Sequence, residues 1–143
     1  MTAFLERLSP LGLSVLRAVS GLLFMGHGVQ KIIGFPPTDR VFEMFTLPWW
    51  AGAIELVTGF LLVVGFQTRL SAFLASGTMA VAYWSVHAPR SPYAIDNGGV
   101  LAALYCFVFF YLIFAGGGPI SVDAIRRNGK AKAAKAPEAA PAA

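Results

Sequence analysis

Five ionisable side chains, Arg17, His27, Lys31, Glu55 and His87, lie inside or at the rims of segments otherwise apolar enough to cross a bilayer. Charge in hydrocarbon is costly, so it persists where it is paired, hydrated or used. Two imidazoles, a carboxyl, an ammonium and a guanidinium are the groups that proton transfer at a polarised oxygen requires. His27, Glu55 and His87 are the candidate catalytic groups, and Arg17 and Lys31 the candidate substrate-binding cations. Each also has a structural reading. Lys31 can snorkel to headgroups, Arg17 can pair within the fold, and His87 can sit wet at a helix end. Glu55 is the hardest to dismiss, because its short side chain must be protonated or paired with Lys31, Arg17 or His27.

The elements that position these groups are four apolar spans, at about 11–33, 48–66, 70–88 and 100–115. Pro10 suits a first helical turn, and Pro36-Pro37 forbid helix continuation after the first span. Trp49 and Trp50 enter the second span as interface residues. Gln67-Thr68-Arg69 makes a tight polar turn, and Gly116-Gly117-Gly118-Pro119 ends the fourth span. The fold class is all-α: an integral membrane, antiparallel four-helix bundle. Residues 1–125 form the transmembrane domain, and 126–143 a basic, Ala/Pro-rich tail expected to be disordered.

Orientation follows from Lys and Arg near the span ends. Arg7, Arg69, Arg126, Arg127, Lys130, Lys132 and Lys135 fall on one side. Arg40 and Arg90 fall on the other, with Lys31 at its rim. Both termini are therefore expected in the cytoplasm. That places His27, Lys31, Glu55 and His87 in the outer half of the bundle and Arg17 nearer the cytoplasmic side. Helical phase groups Arg17, Gly21, Phe24, Gly28 and Lys31 on one stripe, with His27 beside it. Gly52, Glu55 and Gly59 form a second stripe, and small-and-polar stripes face protein rather than lipid.

The 143-residue chain is 57% hydrophobic with mean hydropathy +0.67, a membrane composition. Its net charge of +4 comes largely from the tail, which makes it a topology signal rather than a nucleic-acid one. Cys106 is the only cysteine, which excludes an intramolecular disulfide, a CxxC redox pair and a Cys-ligated zinc site. A metal site from His27, His87 and Glu55 would need ligands from three helices, and none is assigned. Nothing in the residue set holds haem, flavin or an iron–sulfur cluster, so electrons for any redox reaction must come from a substrate or partner.

The pattern resembles the DoxX family of small four-helix bacterial membrane proteins. The resemblance is carried by LRAVSGLLFMGHGVQKIIGF, by Glu55 with Gly59 and Gly65-Phe66-Gln67-Thr68-Arg69, by His87 with Asn97-Gly98-Gly99, and by GGGPISVD with Ser121 and Asp123. Members often carry a glutamate just after the Asn-Gly-Gly segment, where this chain has Val100. The resemblance implies the bacterial inner membrane, no covalently bound cofactor, and quinone as substrate of a redox complex with a soluble or membrane partner protein. Its alternative is a non-catalytic scaffold that recruits soluble redox enzymes. The lipid bilayer is the expected environment, self-association is compatible with the sequence, and no nucleic acid is expected.

Overall fold

A computed structural model describes residues 2–135. All regular structure among them is helical: α1 (Thr2–Ile33), α2 (Leu47–Val64), α3 (Thr68–Ala82), α4 (Ala94–Asn97), α5 (Val100–Ala115) and α6 (Val122–Lys135). A π-helical turn, Tyr83–His87, continues α3 and closes with the Ala88 amide donating to the Tyr83 carbonyl at 2.9 Å. The long helices pack in sequence order, α1 on α2, α2 on α3 and α3 on α5, with only slight contact between α1 and α5.

The closest packing is between α1 and α2. A Cβ added at Gly28 would meet the Gly52 carbonyl at 2.7 Å, and one at Gly59 would meet the Met25 amide at 2.7 Å. A Cβ at Gly21 would lie 3.0 Å from the Val63 amide. Residues ascending along α1 therefore meet residues descending along α2, which makes the pair antiparallel with backbones in contact. These are the two stripes read from the sequence, facing each other. The hairpin from α2 to α3 turns on Gly65, whose φ of 69° is the left-handed cap that glycine adopts without strain.

The distribution of polarity is the reverse of a water-soluble protein. Ser14, Arg17, Ser20, Glu55, Thr58, Ser71 and Ser76 are buried, while Val19, Leu22, Val57, Phe60, Phe73, Phe107 and Phe110 are exposed. An apolar shell of that extent marks a surface that does not face water. The helices α1 and α2 are each long and apolar enough to cross a bilayer, and α5 is a shorter apolar helix. The core proper is Phe24, Leu62, Ala72, Ala75, Met79, Ala102, Tyr105, Phe109 and Leu112.

Two boundaries differ from the sequence expectation. The first helix does not begin near Pro10 but runs from Thr2, with Pro10 inside it. Proline forfeits the one bond its amide would make to residue 6, and Ala3, Leu5, Glu6, Arg7 and Leu8 are good enough helix formers to carry the turn. The tail is likewise helical through Lys135 rather than irregular from residue 126. Alanine, lysine and arginine there favour helix. The remainder of the expected disordered tail, 136–143, lies outside the described residues.

The α1–α2 contact yields a paired test. Gly28→Ala should destabilise the protein by about 1–3 kcal/mol, because an added methyl must push two backbones apart. Gly26→Ala should be neutral or stabilising, since a Cβ there meets nothing within 4 Å and alanine is the better helix former. Thermal unfolding of the two variants in detergent gives the comparison, and equal effects would mean the seam is looser than described.

Candidate functional site

Side chains on a helix lean toward its N-terminus. Lys31, near the end of α1, therefore leans inward along the bundle, and Glu55 on antiparallel α2 leans back toward it. Their meeting is the ion pair of the described residues: Lys31 Nζ donates to Glu55 Oε1 at 2.5 Å. The glutamate side chain is 2% exposed and the lysine side chain 21%. Gly52, one turn from Glu55, makes room, since a Cβ there would lie 2.6 Å from Lys31 Cβ. The second carboxylate oxygen, Oε2, is buried and has no hydrogen-bond partner. A buried carboxylate with one oxygen pinned and one unclaimed retains a place to accept or hold a proton.

Lys31 also lines a cavity of about 390 Å³ beneath the segment 34–42, together with Gln30, Gly34, Thr38, Arg40 and Phe42. The ion pair is thus linked through its partly exposed lysine to a polar opening at the 34–47 end of the bundle. Glu55 itself does not line that cavity.

His27, one turn before Lys31, is on the neighbouring face of α1 and exposed. Its ring meets Tyr105 of α5 edge-on, with centroids 6.4 Å apart. Tyr105 is 8% exposed and stacked on Phe109 at 5.5 Å. Tyr105 is not among the residues that charge and spacing mark in the sequence. Its signal is its place on the buried stripe Ala102, Tyr105, Phe109 and Leu112, where it is the one residue with a polar end. His87 lies apart, at the end of the π-helical turn. Its Nδ1 is 3.0 Å from the Asn97 carbonyl, and its ring stacks with Tyr83 at 6.5 Å. Asn97 in turn holds the loop, donating to the Ser91 carbonyl at 2.8 Å and accepting the Gly99 amide at 2.7 Å.

Arg17 is at the other end. It is 2% exposed, and four N–H bonds tie it to backbone carbonyls. Nε donates to Gly117 at 2.9 Å, Nη2 to Ile120 at 2.6 Å, and Nη1 to Val63 at 2.8 Å and to Leu62. Leu62 and Val63 belong to the last turn of α2, whose carbonyls lack helical donors. The same N-terminal lean that brings Lys31 to Glu55 carries Arg17 away from them. Asp123 works beside it. Its Oδ1 accepts the Gln67 amide at 2.9 Å and its Oδ2 the Thr68 amide at 2.8 Å, which caps α3 from a distant segment and fixes Gln67 at a left-handed φ of 49°. Partial burial pushes the Asp123 carboxyl upward, but these amides and nearby Arg126 outweigh it and hold it below the usual carboxylate range. Among the described residues no three His, Cys, Asp or Glu side chains gather as a metal site.

The sequence pattern of the DoxX family matches residues 12–88, which span α1, α2, α3 and the π-helical turn and include all five ionisable residues. The chain belongs to the DoxX family. An "Uncharacterized protein" of Haemophilus influenzae is 37% identical over 127 residues, covering 83% of this chain and 93% of its own length. A second from the same organism is 30% identical over 127 residues, covering 82% and 84%. A Bacillus subtilis protein named "Putative oxidoreductase CatD" is 33% identical over 73 residues, covering 48% of this chain and 54% of that one. No solved structure matches. In this DoxX chain the family match stops before Asn97 and Asp123, so the two loop-holding residues lie outside it.

The Arg17 end yields two expected outcomes. Arg17→Gln removes most of four charge-assisted hydrogen bonds at buried carbonyls and should lower stability by on the order of 3 kcal/mol or more. Thermal unfolding checks it, and a variant of wild-type stability would contradict the capping role. For Asp123 the folded carboxyl is the more acidic one. Its contribution is therefore present above the unfolded value, about 4, and fades as pH falls through the lower folded value. The melting-temperature gap between wild type and Asp123→Asn should narrow as pH drops below about 4.

Proposed function

We propose that this protein is a membrane subunit of a quinone-linked oxidoreductase, built as an antiparallel four-helix bundle in the bacterial inner membrane with both termini in the cytoplasm. The inverted polarity of the bundle and the Lys/Arg asymmetry of its ends support that placement. The relative named as an oxidoreductase supports the redox class.

One observation carries the reading: Glu55 is buried, bonded to Lys31 through one oxygen and unpartnered at the other. Reduction of a quinone to a quinol takes two electrons and two protons, with each proton ending on a carbonyl oxygen. In the proposed reaction a partner redox protein supplies the electrons. Lys31 polarises one quinone oxygen by hydrogen bonding, which favours the negative charge that develops there. Glu55 is the proton donor and acceptor behind it, and His27 on the adjacent face of α1 supplies the second proton. Proton exchange with the outside runs through the cavity that Lys31 shares with Arg40 and Gln30.

A scaffold is the second reading, and the observation favouring it is the use of Arg17 and His87 by the fold itself. Glu55→Gln and His27→Ala separate the two in the intact complex. Under the redox reading both variants assemble normally and lose quinone-dependent turnover by about 10²-fold or more, because glutamine keeps the shape of glutamate without exchanging its proton. Under the scaffold reading Glu55→Gln is nearly harmless, and His27→Ala lowers yield or assembly. Full turnover by both variants would remove the redox reading.

A further inference from the structure

The end of the bundle opposite the Lys31–Glu55 pair holds a larger cavity that neither reading uses. It encloses about 550 Å³ between Pro10 of α1, the turn Gln67–Arg69, the segment Ala115–Pro119 and the start of α6. Its charged side chains are Arg69, Arg127 and Asp123.

The two arginines are positioned differently. Arg69 is anchored, with Nη1 donating to the Ile113 carbonyl at 3.1 Å and the guanidinium lying over Gly116. Arg127 is exposed and makes no hydrogen bond or ion pair with any described residue. Asp123 faces the cavity too, but both its oxygens already accept the Gln67 and Thr68 amides. The floor is backbone. Gly117 is buried, and neither its amide nor that of Gly118 donates to an acceptor among the described residues. Thr68 Oγ1 is a buried hydroxyl beside the Asp123 carboxylate, with no partner at full hydrogen-bonding geometry. A Cβ at Gly117 would lie 2.7 Å from that hydroxyl, so the loop and the threonine close the cavity together.

Two guanidinium groups beside unclaimed backbone amides make a donor set for a phosphate group. Carboxylate recognition would leave part of it unused, and an apolar ligand would leave all of it unpaired. The cavity opens at the end of the bundle where α3 begins, beyond the apolar shell of α2 and α3, which suits the depth of a lipid headgroup. Beside it α6 adds Arg126, Lys130 and Lys132 on an exposed helix. Basic cavities at that depth, flanked by a polybasic segment, suit anionic lipid headgroups.

The geometry points to this cavity as a phosphate-recognition site that holds the headgroup of an anionic phospholipid. Its occupant would cross-brace α1, the α2–α3 turn and α6. The inference does not depend on the redox reading.

Native mass spectrometry of the full chain in neutral detergent tests it, with phosphatidylglycerol and phosphatidylcholine added at equal concentration. Retention of phosphatidylglycerol should exceed that of phosphatidylcholine and fall about five-fold for each arginine lost, in Arg127→Gln and in the double variant Arg69→Gln/Arg127→Gln. Lys130→Gln/Lys132→Gln should leave it within about two-fold. Arg127→Gln alone decides the matter if the double variant fails to fold, because Arg127 bonds to nothing in the described fold. Equal retention of the two lipids with no stabilisation by inorganic phosphate, or a loss that follows the lysines instead of the arginines, overturns the proposal. A thermal shift with inorganic phosphate distinguishes the source. Stabilisation by phosphate that Arg127→Gln abolishes, without lipid preference, keeps the phosphate site and assigns it to a soluble phosphate.

Discussion

The backbone-to-backbone contact of α1 and α2 is the constraint on which the rest of the structure depends. It exists because Gly21 and Gly28 on one helix and Gly52 and Gly59 on the other present no Cβ at the crossing points. In a bilayer there is no hydrophobic gain from burying apolar side chains against each other, since lipid is equally apolar. Close van der Waals packing and internal hydrogen bonds take over that role. Once the two helices are this near, anything polar on the seam is sealed from both lipid and water. Glu55 and Arg17 lie on it, and antiparallel register brings Lys31 to Glu55 and the end of α2 to Arg17.

Those two solutions are chemically different. Arg17 makes four hydrogen bonds to backbone carbonyls and joins α1 to the end of α2 and to the link between α5 and α6. Its planar fork spreads donors over several acceptors, which an ammonium would not do in the same geometry. Glu55 makes one bond, to Lys31, and keeps an oxygen free. Two hydroxyls on the same pair of helices follow the economical course of bonding to their own helix. Ser20 donates to Leu16 and Thr58 to Ile54, both at 2.6 Å, so their presence inside costs little. The Glu55 oxygen is the polar atom of the seam whose burial no local contact explains.

Much of this was legible in the residues. Periodicity found both stripes, apolar run length found the helices, and small residues flanking an acid marked the seam. Helical phase alone, however, grouped Arg17 with Lys31, and side-chain direction then separated them. A long side chain on α1 leans toward Thr2, so Arg17 is drawn to one end of the bundle while Lys31 is drawn down onto Glu55. The role of His87 was harder to see, because a π-helical turn shifts every later residue in phase and no composition signal announces it. Tyr105 was hidden among equally apolar neighbours in α5. The helix through Lys135 was missed because charge and proline outweighed the propensity of alanine and lysine in reading that segment.

The separation of the two ends has a mechanistic consequence. Arg17 and Lys31 are fourteen residues apart on one helix, about 21 Å along its axis. Groups that far apart, with no shared partner, contribute to stability independently unless a two-state element couples them. The α1–α2 seam is a poor candidate for such an element. Its crossings at Gly21, Gly28 and Gly59 meet opposing backbone, with the Lys31 side chain filling the one at Gly52, and sliding one helix past the other would drive the residues flanking each glycine into the opposing helix. The bundle is therefore a rigid strut at its centre. One end is held by bonds from Arg17 and Asp123 to backbone, and the other carries a single ion pair with one carboxylate oxygen unpartnered. A change of protonation at Glu55 is expected to remain local to Lys31, the cavity beside it and whatever molecule enters there.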